Sequence, residues 1–300
     1  MTRQAVTRDV DQRESGMILI NVLLFVAIAS GLVLLMINRE ELALDRALRS
    51  TDAARALAVA RGGETSAVVA LRRDLVTAPD LDYPGEAWGA LQERGAKIDG
   101  GSFDLSLADA QGRFNVNNLL EHDASDLMMF RKIALFAGLS EEQALAAAQF
   151  VRQYGPVSDL RPLRLSGIDP QVADRLEALV TALPGKRDIN LNSASPALMG
   201  LLFSDPDAVQ RLLSLRAQRG YLTRADFDDK SLYLQPGTGF RSDVFWVHSG
   251  VTIDGTRQEE AALIVRGRDK DGTPHAAAVE RWRNTAIPPE VPGFAPLPAR

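Results

Sequence analysis

Cysteine is missing from all 300 residues, which excludes disulfides, thiol catalysis, iron–sulfur clusters and cysteine-ligated zinc. An oxidising compartment stays open only to a fold that stands without such staples. Histidine is scarce: His122, His248 and His275 lie more than 25 residues apart, with no His-x-x-x-His pair, so a histidine-rich metal site has no basis. Aromatics reach only 6%, and alanine and leucine carry much of the apolar content. Positive charge is not in excess either; a net charge of -5 offers a polyanion no bulk attraction. What is present suffices for a core. With 46% hydrophobic and 24% charged residues, wholesale disorder is excluded, and the length suits one large domain or two of ordinary size.

Residues Met17 to Ile37 run 21 positions without a charge. As a helix they span roughly 31 Å, the thickness of a bilayer's hydrocarbon core. A secretory signal peptide has a shorter apolar stretch and a small-x-small cleavage site after it; here Asn38-Arg39-Glu40-Glu41 follows. Residues 17–37 are therefore expected to stay as a transmembrane helix. The leader, residues 1–16, carries Arg3, Arg8 and Arg13, which places it in the cytoplasm by the positive-inside rule. The rest of the chain would lie across an inner membrane, in a periplasm.

Arg13-Glu14-Ser15-Gly16 followed at once by the apolar run resembles a type IV prepilin leader. The resemblance implies cutting by a membrane prepilin peptidase between Gly16 and Met17, then methylation of the new amino terminus at Met17. Pilin-like proteins usually carry glutamate as the fifth mature residue, where it is thought to neutralise the amino terminus of the subunit above. Asn21 stands there instead. A subunit without that carboxylate need have nothing above it.

Downstream, Glu40 to Val76 is proline-free and rich in Ala, Leu and Arg, predicting a helical continuation with a weak point at Gly62-Gly63. Residues 79–101 are broken by turns, with a short helix predicted over Glu86–Arg94. The alternation in Ser102–Leu107 and Arg113–Val116 around Asp109–Gly112 reads as a β-hairpin. Helical patterns then cover Ser125–Ala137, Ser140–Tyr154, Val157–Leu163, Pro170–Ala182, Ser195–Phe203, Asp207–Arg219 and Thr223–Asp229. Period two returns in Phe245–Ile253, Glu260–Arg268 and His275–Arg283, joined by Asp-Gly turns. The fold class expected is α+β: a transmembrane helix running into a pilin-like long helix plus antiparallel sheet (38–119 and 236–285). An all-helical domain resembling helix-hairpin-helix modules is inserted at 120–235. A mobile tail, 286–300, holds five prolines.

Three segments together resemble the K-type minor pseudopilins of the type II secretion pathway. They are the leader and span with its missing glutamate; Asp109-Ala-Gln-Gly-Arg-Phe-Asn-Val-Asn-Asn-Leu119, similar to the family's D-x-x-G-x-x-N-x-N-x-L; and Val180-Thr-Ala-Leu-Pro-Gly185 leading to Ile189-Asn-Leu-Asn-Ser-Ala194, similar to its T-x-L-P…I-N-x-N-T-A. The resemblance implies a place with I- and J-type minor pseudopilins, and other pseudopilins, at the tip of a periplasmic fibre. It also implies calcium in some members. Asp123 and Asp126, or Asp226, Asp228 and Asp229, are candidates in number only, since a hard cation wants six to eight oxygens. The family's tryptophan- and aspartate-rich run shrinks here to Arg152–Asp159, with a single carboxylate.

The rival reading is a membrane-anchored helix-hairpin-helix receptor for DNA, with Leu165–Pro170 as one hairpin turn and Ser204–Asp207 as the other. Only Gly167 supplies glycine in these turns, and residues 157–228 hold nine basic and nine acidic side chains, which argues against nucleic acid. Enzyme signatures fail as well. Gly185-Lys186 lacks the glycine five residues earlier that a phosphate loop needs, since Val180 stands there; no Gly-x-Ser-x-Gly elbow occurs, and His248-Ser249 should face opposite sides of a strand. No catalytic constellation is legible, and the chain reads as a structural subunit.

Overall fold

The structure, a computed structural model, describes residues 7–165, 167–227 and 233–294, with side chains from residue 17 onward except that of residue 165. The chain divides into two compact units, Met1–Ala54 and Arg55–Arg300. One continuous helix, α1 (Thr7–Thr77), makes up the described part of the first unit and contributes its last turns to the second. The helix runs unbroken through Gly62-Gly63. Gly63 lies flush on the sheet: a methyl group there would meet Phe103, Leu105 and Ser249 at 3.0–3.2 Å.

In the second unit, Ala56, Ala60, Gly63, Ala67, Leu71 and Leu75 form the buried stripe of α1. Their spacing of three and four residues keeps one face on the sheet. That sheet has five antiparallel strands in the order β1-β2-β7-β8-β9: β1 (Glu93–Ile98), β2 (Gly101–Asp109), β7 (Val244–Ile253), β8 (Thr256–Arg268) and β9 (Pro274–Arg283). The three C-terminal strands match their expectations to within four residues. Both edges are irregular, with register shifts at Glu93/Ala96 in β1 and opposite Leu263/Ile264 in β9, which blunts strand addition.

The 102–116 hairpin does not form. β2 pairs with β1 and β7, and β3 (Phe114–Asn115) leaves the sheet to pair in parallel with β4 (Val180–Thr181). Alternation reports which strands are half-buried and is silent about their partners. The expected helix over Glu86–Arg94 is also absent. Pro84, Gly85 and Gly89 make consecutive turns, and Gly89 sits so near the Pro84 carbonyl that a methyl would approach it to 2.0 Å.

Between β3 and β6 (Thr238–Gly239), helices α2 (Ala124–Ala137), α3 (Glu141–Tyr154), α4 (Arg161–Leu165), α5 (Pro170–Glu177), α6 (Pro196–Leu202) and α7 (Pro206–Arg219) share one apolar core, which includes Phe114, Phe130, Ile133, Leu176 and Leu198. β5 (Ile189–Asn190) pairs with β6. Ser140 and Gln143 close a capping box, and Ser195 and Asp205 cap helices that open on proline. Two expected helices are shorter than read. The 157–163 helix begins only at Arg161, whose amide bonds Asp159 Oδ1 (2.9 Å), and the 170–182 helix stops at Glu177 because β4 follows. Thr223–Asp229 contributes a single 3-10 turn, Arg224–Phe227, to the described residues.

The proline-rich tail is the largest difference. Through Phe294 it is laid on the outer face of the sheet, the face turned away from α1. Val291 packs beside Trp246, Leu263 and Trp282, and Phe294 stacks on His248 with ring centroids 4.0 Å apart. Residues 295–300 lie outside the described part.

Candidate functional site

No side chain from Met17 to Ile37 is buried, and the helix there is long and apolar enough to cross a membrane. Asn21 is the first polar side chain along it, exposed among Ile18, Leu24 and Phe25. Gly16 lies inside α1, one residue before this surface. Gly16, Met17 and Asn21 thus lie within two turns of one another at the start of the apolar part of α1, where Met17 and Asn21 are exposed. Further along, α1 turns Ala58, Gly62, Thr65, Ser66, Val69 and Val76 outward, opposite its buried stripe, while Glu64 reaches sideways to Arg281 of β9 at 2.7 Å through both carboxylate oxygens.

The two asparagine motifs interlock. Asn115 Nδ2 donates to the carbonyls of Leu183 (3.2 Å) and Gly185 (2.7 Å), and its Oδ1 accepts from the Leu183 amide (2.9 Å). Asn117 does the same with Val157, and Asn118 exchanges a pair of bonds with the backbone of Arg187 at 2.8 and 2.9 Å. Each side-chain amide replaces a peptide group in a ladder, so buried backbone polar atoms are satisfied where no strand is available. Gln111 adds a bond to the Asp188 carbonyl (2.9 Å) and accepts from the amides of Asp243 and Val244.

Asp109 is the hub of this clasp. Its Oδ2 accepts from Asn190 Nδ2 (2.8 Å), Ser193 Oγ (2.5 Å) and Ser242 Oγ (2.7 Å), and its Oδ1 from the Gln111 amide (2.7 Å). Burial pushes its carboxyl pKa up against the pull of these four donors. Asn190, fully buried, also donates to the Asp82 carbonyl (3.0 Å). We expect Asn190→Ala to lower the unfolding free energy by about 1–3 kcal/mol, because it strips a donor from Asp109 and from the Asp82 carbonyl and an acceptor from the Asn192 amide. Chemical denaturation of the folded chain reads this directly; a loss near zero would mean water takes the amide's place.

Next to the clasp, Asp74, Asp82 and Glu86 bring carboxylate oxygens within 4.8 Å of one another, the grouping a cation site would use. Arg266 supplies the positive charge instead. Its guanidinium, 1% exposed, pairs with Asp82 and, at 2.6 Å, with Asp74, and donates to the Ser242 carbonyl (3.1 Å) while lying over the Phe245 ring. Burial lifts the Asp82 carboxyl to about 7, with Arg266 opposing the rise. Sequence reading missed this centre. Its one available signal was an arginine at Arg266, on the same inward parity of β8 as Ile264.

The described calcium candidates already have cationic partners: Lys186 Nζ lies 3.6 Å from Asp123 and 3.0 Å from Asp126. Asp226 is held by Arg219 and accepts from Thr223, while Asp228 and Asp229 lie outside the described residues. Asp123 also caps α2 through the Ser125 amide (2.8 Å). His248 and Ser249 face opposite sides of β7, the first under Phe294 and the second against Gly63. The helix starts that follow the two hairpin turns are also filled. Asp169 accepts from the amides of Gln171 and Val172, and Asp205 from those of Asp207 and Ala208. Amides that would grip phosphate are spent on carboxylates, which repel it.

No family model matches the chain. The type II secretion system protein K of Pseudomonas aeruginosa is 28% identical over 302 residues, covering 85% of this chain and 90% of that protein. Its namesake from Klebsiella pneumoniae is 25% identical over 304 residues, covering 85% and 93%. A chain of the GspK–GspI–GspJ complex from the enterotoxigenic Escherichia coli type 2 secretion system shares the fold, with a TM-score of 0.65 at 20% identity over 80% of this chain and 99% of that one. Similarity over most of their length to two type II secretion system proteins K, together with a fold shared with a chain of the GspK–GspI–GspJ complex, supports the resemblance to K-type minor pseudopilins.

Proposed function

We propose that this chain joins I- and J-type minor pseudopilins in a complex that initiates and caps a periplasmic pseudopilus, and that its role there is packing rather than chemistry. The observation that carries the reading is the uncharged helical surface from Met17 to Ile37, which no described residue covers. In the inner membrane lipid covers it; in a fibre, neighbouring helices do. Prepilin peptidase cuts between Gly16 and Met17 on the cytoplasmic face, Met17 is methylated, and the 55–300 unit lies in the periplasm. Asn21 supports the summit position. It provides no carboxylate to pair with the amino terminus of a further subunit, and a lone carboxylate at that depth would be costly in lipid. The bulk of the helices between β3 and β6 would block growth above. That I- and J-type proteins are its partners is supported by the composition of the complex in which its structural relative was crystallised.

The amino-terminal mass of protein recovered from membranes tests this reading. The expected species begins at Met17 and carries one methyl group, and Gly16→Val yields only the longer, uncut product. Wild-type protein that starts at its initiator methionine refutes the processing step, and failure to co-purify with co-expressed I- and J-type subunits refutes the partnership.

A further inference from the structure

The C-terminal segment is fastened by contacts of two kinds. Apolar contacts are made by Val291 against the Trp246–Trp282 patch and by Phe294 on His248, with the Arg94 and Arg257 guanidinium groups 5.4 and 5.9 Å from the Phe294 ring centre. Gly250 leaves room for that ring; a methyl there would meet it at 3.0 Å. Polar contacts run from Arg161 Nη1 to the Ala286 carbonyl (3.3 Å), from Arg113 Nη1 to the Glu290 carbonyl (3.0 Å), and from the Leu160 amide to Glu290 Oε1 (3.0 Å). Glu290 is the one ionisable side chain between residues 287 and 294, and it is 2% exposed. Its Oε2 is buried and has no hydrogen-bond partner among the described residues.

An ionised carboxylate with an orphaned buried oxygen is unfavourable unless a cation compensates it. The charges around Glu290 do not supply that balance. From the elements packed on it come Arg113 after β2, Asp159 and Arg161 at the start of α4, Arg164 within α4, Glu177 on α5 and Glu280 on β9. Arg164 is committed to Glu177 at 2.5 Å, and the two arginines whose charge reaches Glu290 are each shared with a second carboxylate: Arg161 with Asp159 at 2.5 Å, and Arg113 with Glu177. On the segment's other side, His248 Nδ1 meets the Pro292 carbonyl (3.1 Å) and Nε2 stands 3.5 Å from Glu259.

We propose that residues 287–294 form a proton-dependent strap, docked over the outer face of the sheet while Glu290 is protonated and released as that carboxyl ionises. Burial, with Asp159 and Glu177 nearby, raises the Glu290 carboxyl from 4.5 to about 7 in the docked state. The sign follows from linkage. A group whose docked pKa is raised favours docking fully below its free value and loses that contribution as pH rises through the docked value, here between 4.5 and about 7. Release removes Val291 from the cluster that holds Trp246, Leu263 and Trp282. This inference rests on the fold and stands or falls apart from the tip assignment.

Amide exchange of residues 287–294 in the full chain, held in detergent micelles and expressed as protection factors, tests it. Wild-type strap protection should fall roughly ten- to thirty-fold between pH 5.5 and 8.5. Glu290→Gln, neutral throughout, should stay within about two-fold, and Glu280→Gln should keep the wild-type fall. A flat wild-type profile, or an equal fall in Glu290→Gln, overturns the proposal. Should that variant fail to fold, selective carbon labelling of the wild-type carboxyl decides it: a Glu290 midpoint near 7 upholds the strap, and one at the ordinary 4.5 overturns it.

Discussion

Arg266→Met is expected to lower the unfolding free energy of the folded chain by about 3–5 kcal/mol at pH 8, enough to leave it largely unfolded. Arg266 is the cation shared by Asp74 and Asp82, all three nearly sealed from water, and methionine fills much of its volume without its charge. Two carboxylates then remain buried together beside Glu86. The pH dependence follows from Asp82. Its carboxyl is already lifted to about 7 by burial, and losing Arg266 removes the largest influence holding it down. A raised carboxyl favours the folded state below the unfolded value of 3.8 and loses that support as pH climbs through the folded value. The penalty of the substitution should therefore be smaller at pH 5 than at pH 8. Denaturant midpoints measured at both values check this, and a pH-independent penalty would mean lost packing, not an uncompensated charge. Replacing Asp74 and Asp82 by asparagine in the same chain should recover most of the loss, because a buried ion cluster is far worse broken than removed.

Gly112→Val should cost about 3 kcal/mol, the upper end of what overpacking does to a well-filled interior. No unusual backbone angle requires this glycine; the neighbour does. A methyl at Gly112 would lie 2.5 Å from the Ser193 carbonyl oxygen and 2.9 Å from its carbon, backbone atoms that cannot swing away. The glycine of one motif is thus the seat for the other, at the point where Ser193 Oγ reaches Asp109. The variant's thermal midpoint should drop by several degrees for each kcal/mol. Gly200→Val, on a helix with open space around that position, serves as the control and should move the midpoint far less. Comparable losses in the two variants would show that the motifs do not depend on their close approach.

Much of this architecture was legible because its signals are local. Twenty-one uncharged residues suffice to mark Met17–Ile37 as a helix long and apolar enough to cross a membrane, and a period of two suffices for the last three strands. Caps at Ser140 and Ser195 follow from hydrogen-bonding chemistry confined to one turn. The asparagine motifs were visible as a likeness, but their work was not, since an amide that substitutes for a peptide group is defined by the segment it meets, 40 to 70 residues away.

The sequence by itself determined the long apolar helix, the α+β class, the order of elements and the motifs that carry the family resemblance, all of them properties of neighbours along the chain. Tertiary structure alone decided the strand partners of Ser102–Leu107 and Phe114–Asn115, the sealed Arg266 centre, and the docking of the proline-rich segment. Each of these depends on groups distant in sequence that burial forces to satisfy one another. A pattern read residue by residue records which side chains need a partner, and the packed fold decides which partner they receive.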